Sequence, residues 1–339
     1  MKAYLLTHHG PAAVLQKQEI AEPHPGPGEV RISVQHIGIN FAEILSRRGQ
    51  YRWAPDMPYT LGMEAYGIID RVGEGVDRKV GEAVIAGGQF GSYAEKMVVP
   101  AYMALRPLPH LSSEENSALV VNYMTAWVGL MKLARLQPTD TVLVNAAAGG
   151  VGTAAVQLAK AKGCTVFGTA GHPDKLTLLR ELGVDHPINY REQDFEQVIR
   201  DVQRGKGVDV VLELVGGDTF RKSRELLNPF GKLVIGGMAG LKWNKNNPLT
   251  WPSLLRHIPR PRLLQMAQRS SGLLATHIGY LIKNPEIVET EWAALSAYVE
   301  KHDIRPVISA VFSFEQIPQA HRFIESRQSY GKVIVSLDR

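Results

Sequence analysis

Asn145-Ala146-Ala147-Ala148-Gly149-Gly150-Val151-Gly152 stands between an apolar run, Thr141–Ala146, and a helical stretch, Val151–Lys162, that closes at Gly163. A short apolar run bounded by turn residues reads as a buried strand. Glycine and alanine after it let the backbone approach a pyrophosphate, and the free N–H groups and partial positive charge of the following helix N-terminus favour that anion. A glycine triplet alone is weak evidence. Between a strand and a helix it is strong.

The same rhythm continues outward from this turn. Thr165–Thr169, His186–Tyr190, Val208–Val215 and Lys232–Ile235 read as strands, and Pro173–Leu182, Glu192–Gln203 and Asp218–Leu227 as the helices between them. Near-continuously apolar strands alternating with amphipathic helices form a parallel sheet covered on both faces. The fold class is therefore α/β, a doubly wound Rossmann sheet, over 123–281. Before it the chain reads as β structure: Val30–Ile39, Ala65–Val72 and Ser92–Val99 are short runs punctuated by glycine and proline. After it come a helix at Glu291–Lys301, a strand at Val307–Phe314, a helix at Ile317–Ser326 and a closing strand at Lys332–Leu337. A β-rich start and an α+β end flanking a Rossmann insert predict one discontinuous domain, 1–122 with 282–339.

Composition narrows the function classes. With 339 residues the chain is long enough for two domains. A net charge of +5, with bases and acids interleaved, does not point to nucleic acid. Cys164 is the only cysteine, which excludes an intrachain disulfide and a structural zinc site of clustered cysteines. Met1–Gly10 lacks the pattern of a signal peptide, and no run approaches a membrane span, so the expectation is a cytoplasmic protein without an integral membrane segment.

Cofactor choice rests on the end of the second Rossmann strand. Thr169-Ala170-Gly171-His172 offers no carboxylate for ribose hydroxyls, Lys175 follows one helical turn later, and Tyr190 ends the next strand. A missing acid beside an ammonium suits a 2′-phosphate, so NADPH is favoured over NADH.

Further stretches carry a family resemblance: Gly38-Ile39-Asn40-Phe41, Arg48-Gly49-Gln50-Tyr51, Leu61-Gly62-Met63-Glu64, Val72-Gly73-Glu74-Gly75-Val76, the Ala-Ala-Gly-Gly-Val-Gly turn and Ile188-Asn189-Tyr190. In this order they resemble the zinc-independent quinone oxidoreductases of the medium-chain dehydrogenase/reductase superfamily over nearly the whole chain. The tail, His277–Leu281 and Gly331-Lys332-Val333, is also similar to the vesicle amine transport protein branch. The resemblance implies that the discontinuous domain is a GroES-like catalytic domain. It implies that Asn40, Tyr51 and Thr125 line the nicotinamide and substrate pocket, with Asn40 and Tyr51 as the catalytic pair hydrogen-bonding a developing oxyanion or the nicotinamide side. It further implies dinucleotide contacts at Ala148, Gly149, Gly150, Val151, Gly171, Lys175, Tyr190, Val215, Gly216, Gly237, Met238 and Lys332. Zinc-dependent members carry cysteine where this chain has Asn40 and histidine where it has Met63, so neither metal site is expected. Glu43 stands where the family usually has aspartate.

The activity so implied is hydride transfer from NADPH to a quinone, with reduction of an enone or alkenal double bond as the alternative. A third reading is an NADPH-binding interaction protein with little turnover. The partner is then a small-molecule electrophile, and the assembly a homodimer joined at a sheet edge around Leu274–Tyr280. Leu241–Ser271 holds Trp243, Trp251, four prolines, six Lys or Arg and no acid. It reads either as a connecting excursion or as a lid over the acceptor.

Overall fold

The computed structural model describes residues 1–240 and 263–337. The chain divides into two units, Met1–Met124 with Ile278–Arg339 and Thr125–His277. Among the described residues no helix is long and apolar enough to cross a membrane.

The first unit opens with β1 (Lys2–Leu6), β2 (Gln16–Glu19), β3 (Glu29–Ile39), β4 (Tyr59–Thr60), β5 (Glu64–Val72), β6 (Ala83–Gly87), β7 (Lys96–Pro100) and β8 (Ala104–Leu105). A seven-residue helix, Phe41–Arg47, follows β3 directly. The second unit holds β9 (Thr141–Val144), β10 (Thr165–Ala170), β11 (His186–Asn189), β12 (Val208–Glu213), β13 (Leu227–Ile235) and β14 (Gly272–Ala275). The chain then returns to the first unit with the helix Pro285–Lys301, β15 (Ile308–Ser313), the helix Ile317–Glu325 and β16 (Lys332–Ser336).

In the first unit the larger sheet runs β15-β16-β3-β5-β6-β8, with β7 also paired to β3, and β2-β1-β4 form a smaller sheet. The antiparallel β16–β3 ladder sets Val333 opposite Ile39 and Ile334 opposite Gly38, and so carries the last strand to the start of the Phe41–Arg47 helix. Ile37, Ile39, Val333 and Val335 are all buried, so the register is held by apolar packing.

The second unit is a six-stranded sheet in the order β11-β10-β9-β12-β13-β14. Every pairing in it is parallel. The order reverses between β10-β9 and β9-β12, which makes the C-terminal ends of β9 and β12 the crevice where such sheets take ligands. Leu143, Phe167, Ile188, Ile199, Val211 and Leu233 build a core on one face of this sheet. Fully burying a side chain of that size contributes roughly 1.5–3 kcal/mol.

Two expectations change. The strand expected around Leu274–Tyr280 ends at Ala275, and Ile278–Leu281 is a helical turn instead. Its apolar residues do not alternate, so nothing in them commits the segment to a strand beyond the pairing with β13. The expected strand Ser92–Val99 begins at Lys96, because Tyr93 first turns inward, its N–H donating to Leu61 O and its C=O accepting from Tyr4 N–H. Most of the expected lid lies outside the described residues. The part within them, Leu263–Arg269, is a helix on which Leu263 and Leu264 are exposed.

Candidate functional site

In the second unit, β9 gives way at Asn145 to a tight turn and the helix Gly150–Lys162, capped by Gly149. Ala146 sits at φ 52°. A Cβ on Gly152 would lie 2.3 Å from the Ala146 carbonyl oxygen, so only glycine lets the helix pack this close to the turn. Asn145 is buried and Ala148, Gly149, Gly150 and Val151 surround the helix N-terminus, as a pyrophosphate site requires.

The neighbouring strand ends complete this half. Tyr190 N–H donates to Ala170 O at 3.1 Å, and a Cβ on Gly171 would stand 2.5 Å from the Tyr190 hydroxyl. Gly171 therefore makes room for the half-exposed Tyr190 ring. Lys175 lies in the first turn of the helix Pro173–Glu181, whose N-cap is His172. On the other side of the crevice, Gly240 N–H donates to Val215 O at 2.8 Å and Ala239 N–H to Leu214 O at 3.0 Å. These bonds hold the Val215–Gly216 segment against the Gly237–Met238 segment. Thr125, also in this unit, is buried in the helix Val120–Trp127.

In the first unit Asn40 is the N-cap of Phe41–Arg47, and its backbone N–H donates to Glu43 Oε2 at 2.8 Å. Its side-chain amide faces inward. Nδ2 donates to Glu64 Oε1 at 3.0 Å, Glu43 Oε1 at 3.2 Å and Gly38 O at 3.3 Å. Lys332 Nζ donates to Asn40 Oδ1 at 2.6 Å and forms an ion pair with Glu64. Lys332 and Glu64 are 2% and 0% exposed, so this ammonium is committed inside the unit. Both amide hydrogens of Asn40 therefore meet acceptors within the first unit.

Glu43 extends the cluster. It accepts from Met63 N–H at 2.9 Å and from the Tyr93 hydroxyl at 2.6 Å, and that hydroxyl lies 2.8 Å from His321 Nε2. Burial pushes the Glu43 carboxyl up to about 7, against the pull of its Tyr93 and Asn40 donors and the charge of Lys332. Burial, with Arg47 nearby, pushes His321 down to about 3. A neutral His321 with a proton on Nε2 satisfies the Tyr93 oxygen, which in turn satisfies Glu43. Of the trio Glu43, Tyr93 and His321, only Glu43 stands in a recognisable sequence motif. Tyr93 and His321 carry no local motif that would have joined them to it.

The same residues do not fit zinc. Asn40 and the buried Met63 are poor ligands, and a fixed ammonium sits 2.6 Å from the Asn40 oxygen. Among the described residues no group of three His, Cys, Asp or Glu converges to hold a metal.

Tyr51 heads an aromatic row. Its ring meets Trp53 edge-on at 5.3 Å, and Trp53 meets Tyr280 edge-on at 6.0 Å while its indole N–H donates to the Tyr280 hydroxyl. Burial, helped by Glu43 and Tyr280, pushes the Tyr51 hydroxyl up to about 12. It is thus a phenol, able to donate, at neutral pH.

Known proteins resemble the chain along its whole length. Residues 26–110 match the family described as "Alcohol dehydrogenase GroES-like domain" and residues 182–335 the one described as "Zinc-binding dehydrogenase". The chain is 38% identical to the synaptic vesicle membrane protein VAT-1 homolog of Homo sapiens over 324 residues, 95% of this chain and 82% of that protein. It is 32% identical to quinone oxidoreductase-like protein 2 of Rattus norvegicus, over 94% of this chain and 88% of that one. The structure of Escherichia coli quinone oxidoreductase complexed with NADPH superposes with a TM-score of 0.87 at 28% identity, covering 99% of this chain and 100% of the other. With a GroES-like first unit and a Rossmann second unit, the chain belongs to the medium-chain dehydrogenase/reductase superfamily, and its relatives fit the zinc-independent quinone oxidoreductase branch.

Proposed function

We propose that this chain is an NADPH-dependent oxidoreductase that reduces a quinone without a metal. The observation that carries the reading is the polar cluster around Asn40, where an ammonium and two carboxylates stand in place of a Lewis acid. An enzyme built this way favours an acceptor that takes hydride readily into an electron-poor ring and delocalises the charge it receives.

NADPH supplies the hydride when bound. Ala148–Val151 and the Gly150–Lys162 helix N-terminus bind its pyrophosphate. Gly171, Lys175 and Tyr190 bind the 2′-phosphate, at a strand end that lacks an acid. Tyr51, held protonated, donates to the acceptor oxygen, and Trp53 beside it offers a flat apolar face. In this reading Asn40 and Lys332 line the nicotinamide side, the Asn40 amide oriented by Lys332 and Glu64.

The similarity to VAT-1 homologs favours a second reading, an NADPH-binding interaction protein with little turnover. Steady-state assays with 1,2-naphthoquinone, 1,4-benzoquinone and a small enal, each with NADPH and with NADH, separate the readings. Quinone-dependent NADPH consumption is the expected result. Turnover confined to the enal assigns the chain to double-bond reduction, and NADPH binding without consumption by any acceptor assigns it to interaction.

A further inference from the structure

Glu213 ends β12 and is completely buried, the one acid in the run Val210–Val215. Its Oε1 accepts from Val215 N–H at 2.7 Å and Gly216 N–H at 2.8 Å. Its Oε2 accepts from Asn145 Nδ2 at 2.9 Å and Ser223 Oγ at 3.1 Å, and Asn145 Nδ2 also reaches Ser223 Oγ at 2.8 Å. The backbone carbonyl of the same residue accepts from Gly236 N–H at 2.9 Å and Gly237 N–H at 3.3 Å. On the far side, Asn145 Oδ1 accepts from Thr169 Oγ1 at 3.1 Å. One residue therefore fastens the turn after β12 and the turn after β13, and through Asn145 it reaches the turn after β9.

The local geometry explains why an acid is used. Gly216 and Gly217 lie at φ 83° and 61°, and the consecutive N–H groups of Val215 and Gly216 converge on one carboxylate oxygen. Consecutive N–H groups of this kind form a nest for an anion. Here the nest closes on a carboxylate of the protein itself, and Gly216 is buried against it. Among the described residues no other acceptor is bonded to the Val215 and Gly216 N–H groups.

We propose that Glu213 is a positioning residue for the nicotinamide half of the dinucleotide, fixing Val215–Gly216 and Gly236–Gly237 relative to the Asn145 turn. The adenosine 2′-phosphate end is bound elsewhere, by residues after β10 and β11, so the two halves of the ligand respond differently to loss of Glu213. The proposal rests on the NADPH reading. Failure of that reading shows first in the native chain, which then binds neither NADPH nor 2′,5′-ADP, and takes the proposal with it.

Isothermal titration of NADPH and of 2′,5′-ADP into native protein and Glu213→Gln tests it. The amide keeps an oxygen for the two loop N–H groups but sets a donor against the Asn145 and Ser223 donors. NADPH affinity is expected to fall roughly tenfold or more, while 2′,5′-ADP stays within about twofold. Unchanged NADPH affinity, or an equal loss for both ligands, overturns the proposal. Should the single variant not fold, Ser223→Ala removes one donor to Glu213 Oε2 instead. It is expected to weaken NADPH binding roughly threefold or more and to leave 2′,5′-ADP within about twofold. Unchanged NADPH affinity in Ser223→Ala, or an equal loss for both ligands, overturns the proposal as well.

Discussion

Lys332 and Asn40 lie 292 residues apart in sequence and 2.6 Å apart in the fold, ammonium against amide oxygen. The ammonium fixes the sense of the amide, since only the oxygen can face it, and so decides that both amide hydrogens meet carboxylates. Glu64 closes the triangle.

Removing the cation therefore strands a buried charge. Lys332→Met should destabilise the protein by about 3–5 kcal/mol, the range for breaking a buried ion pair from one side. Adding Glu64→Gln should recover most of that loss. Urea denaturation of the two variants measures both, and a single variant of native stability would mean the ion pair contributes nothing to the fold.

Cofactor preference is read at Lys175. Lys175→Ala is expected to cost on the order of 1–3 kcal/mol of NADPH binding, the value of a lost charge-assisted bond, and almost nothing for NADH. Equal affinity of the native protein for the two dinucleotides would remove the premise.

The buried pair Glu43 and His321 gives stability an unusual pH dependence. Glu43 is raised from 4.5 to about 7. Its contribution is complete below pH 4.5 and is lost as pH rises through 7. His321 is lowered from 6.5 to about 3. Its contribution is complete above pH 6.5 and is lost as pH falls toward 3. Between about 4.5 and 6.5 the two slopes oppose each other; outside that window each acts alone. The melting temperature should therefore decline from pH 6.5 to 7.5 in the native protein and stay flat over that range in Glu43→Gln, whatever the variant's baseline. Parallel curves would assign the decline to another group.

Acceptor size is read at Trp53. Trp53→Ala removes the ring between Tyr51 and Tyr280, and should raise the KM for 1,2-naphthoquinone well above that for 1,4-benzoquinone. NADPH affinity should not move. A change confined to thermal stability would make the row a packing feature.

Assembly is read at β14, the terminal strand of the Rossmann sheet among the described residues. Two copies paired along Gly272–Ala275 would continue the sheet, so sedimentation at micromolar concentration should show a dimer. A Leu274→Pro variant, which removes an N–H from the strand, should shift it toward monomer; a native monomer would exclude this contact.

The second unit was legible because its signals are local. Asn145–Gly152 carries strand end, turn and helix start within eight residues, and alternation of apolar strands with helices does not depend on distant partners. The first unit's chemistry was less so. Asn40 was visible as a residue of interest, yet the direction of its amide is set by Glu64, 24 residues on, and by Lys332, 292 residues on, and no local pattern encodes either. Glu213 did leave a trace, an acid inside an apolar strand, which a buried polar network alone explains. Leu274–Tyr280 misled because an apolar run without alternation fits strand or helix equally until its neighbours choose.

The β16–β3 ladder also imposes a schedule. A ribosome releases Asn40, Glu43 and Glu64 long before Lys332, so during synthesis the acids wait in water for a cation some 270 residues downstream. The insert between them is contiguous and needs nothing from the flanking segments for its own sheet. Vectorial synthesis thus matures the inner unit first and the outer unit last. Nascent chains arrested before residue 332 should show protease protection over 125–240 and cleavage around Asn40, and protection of both regions at that stage would reverse the order.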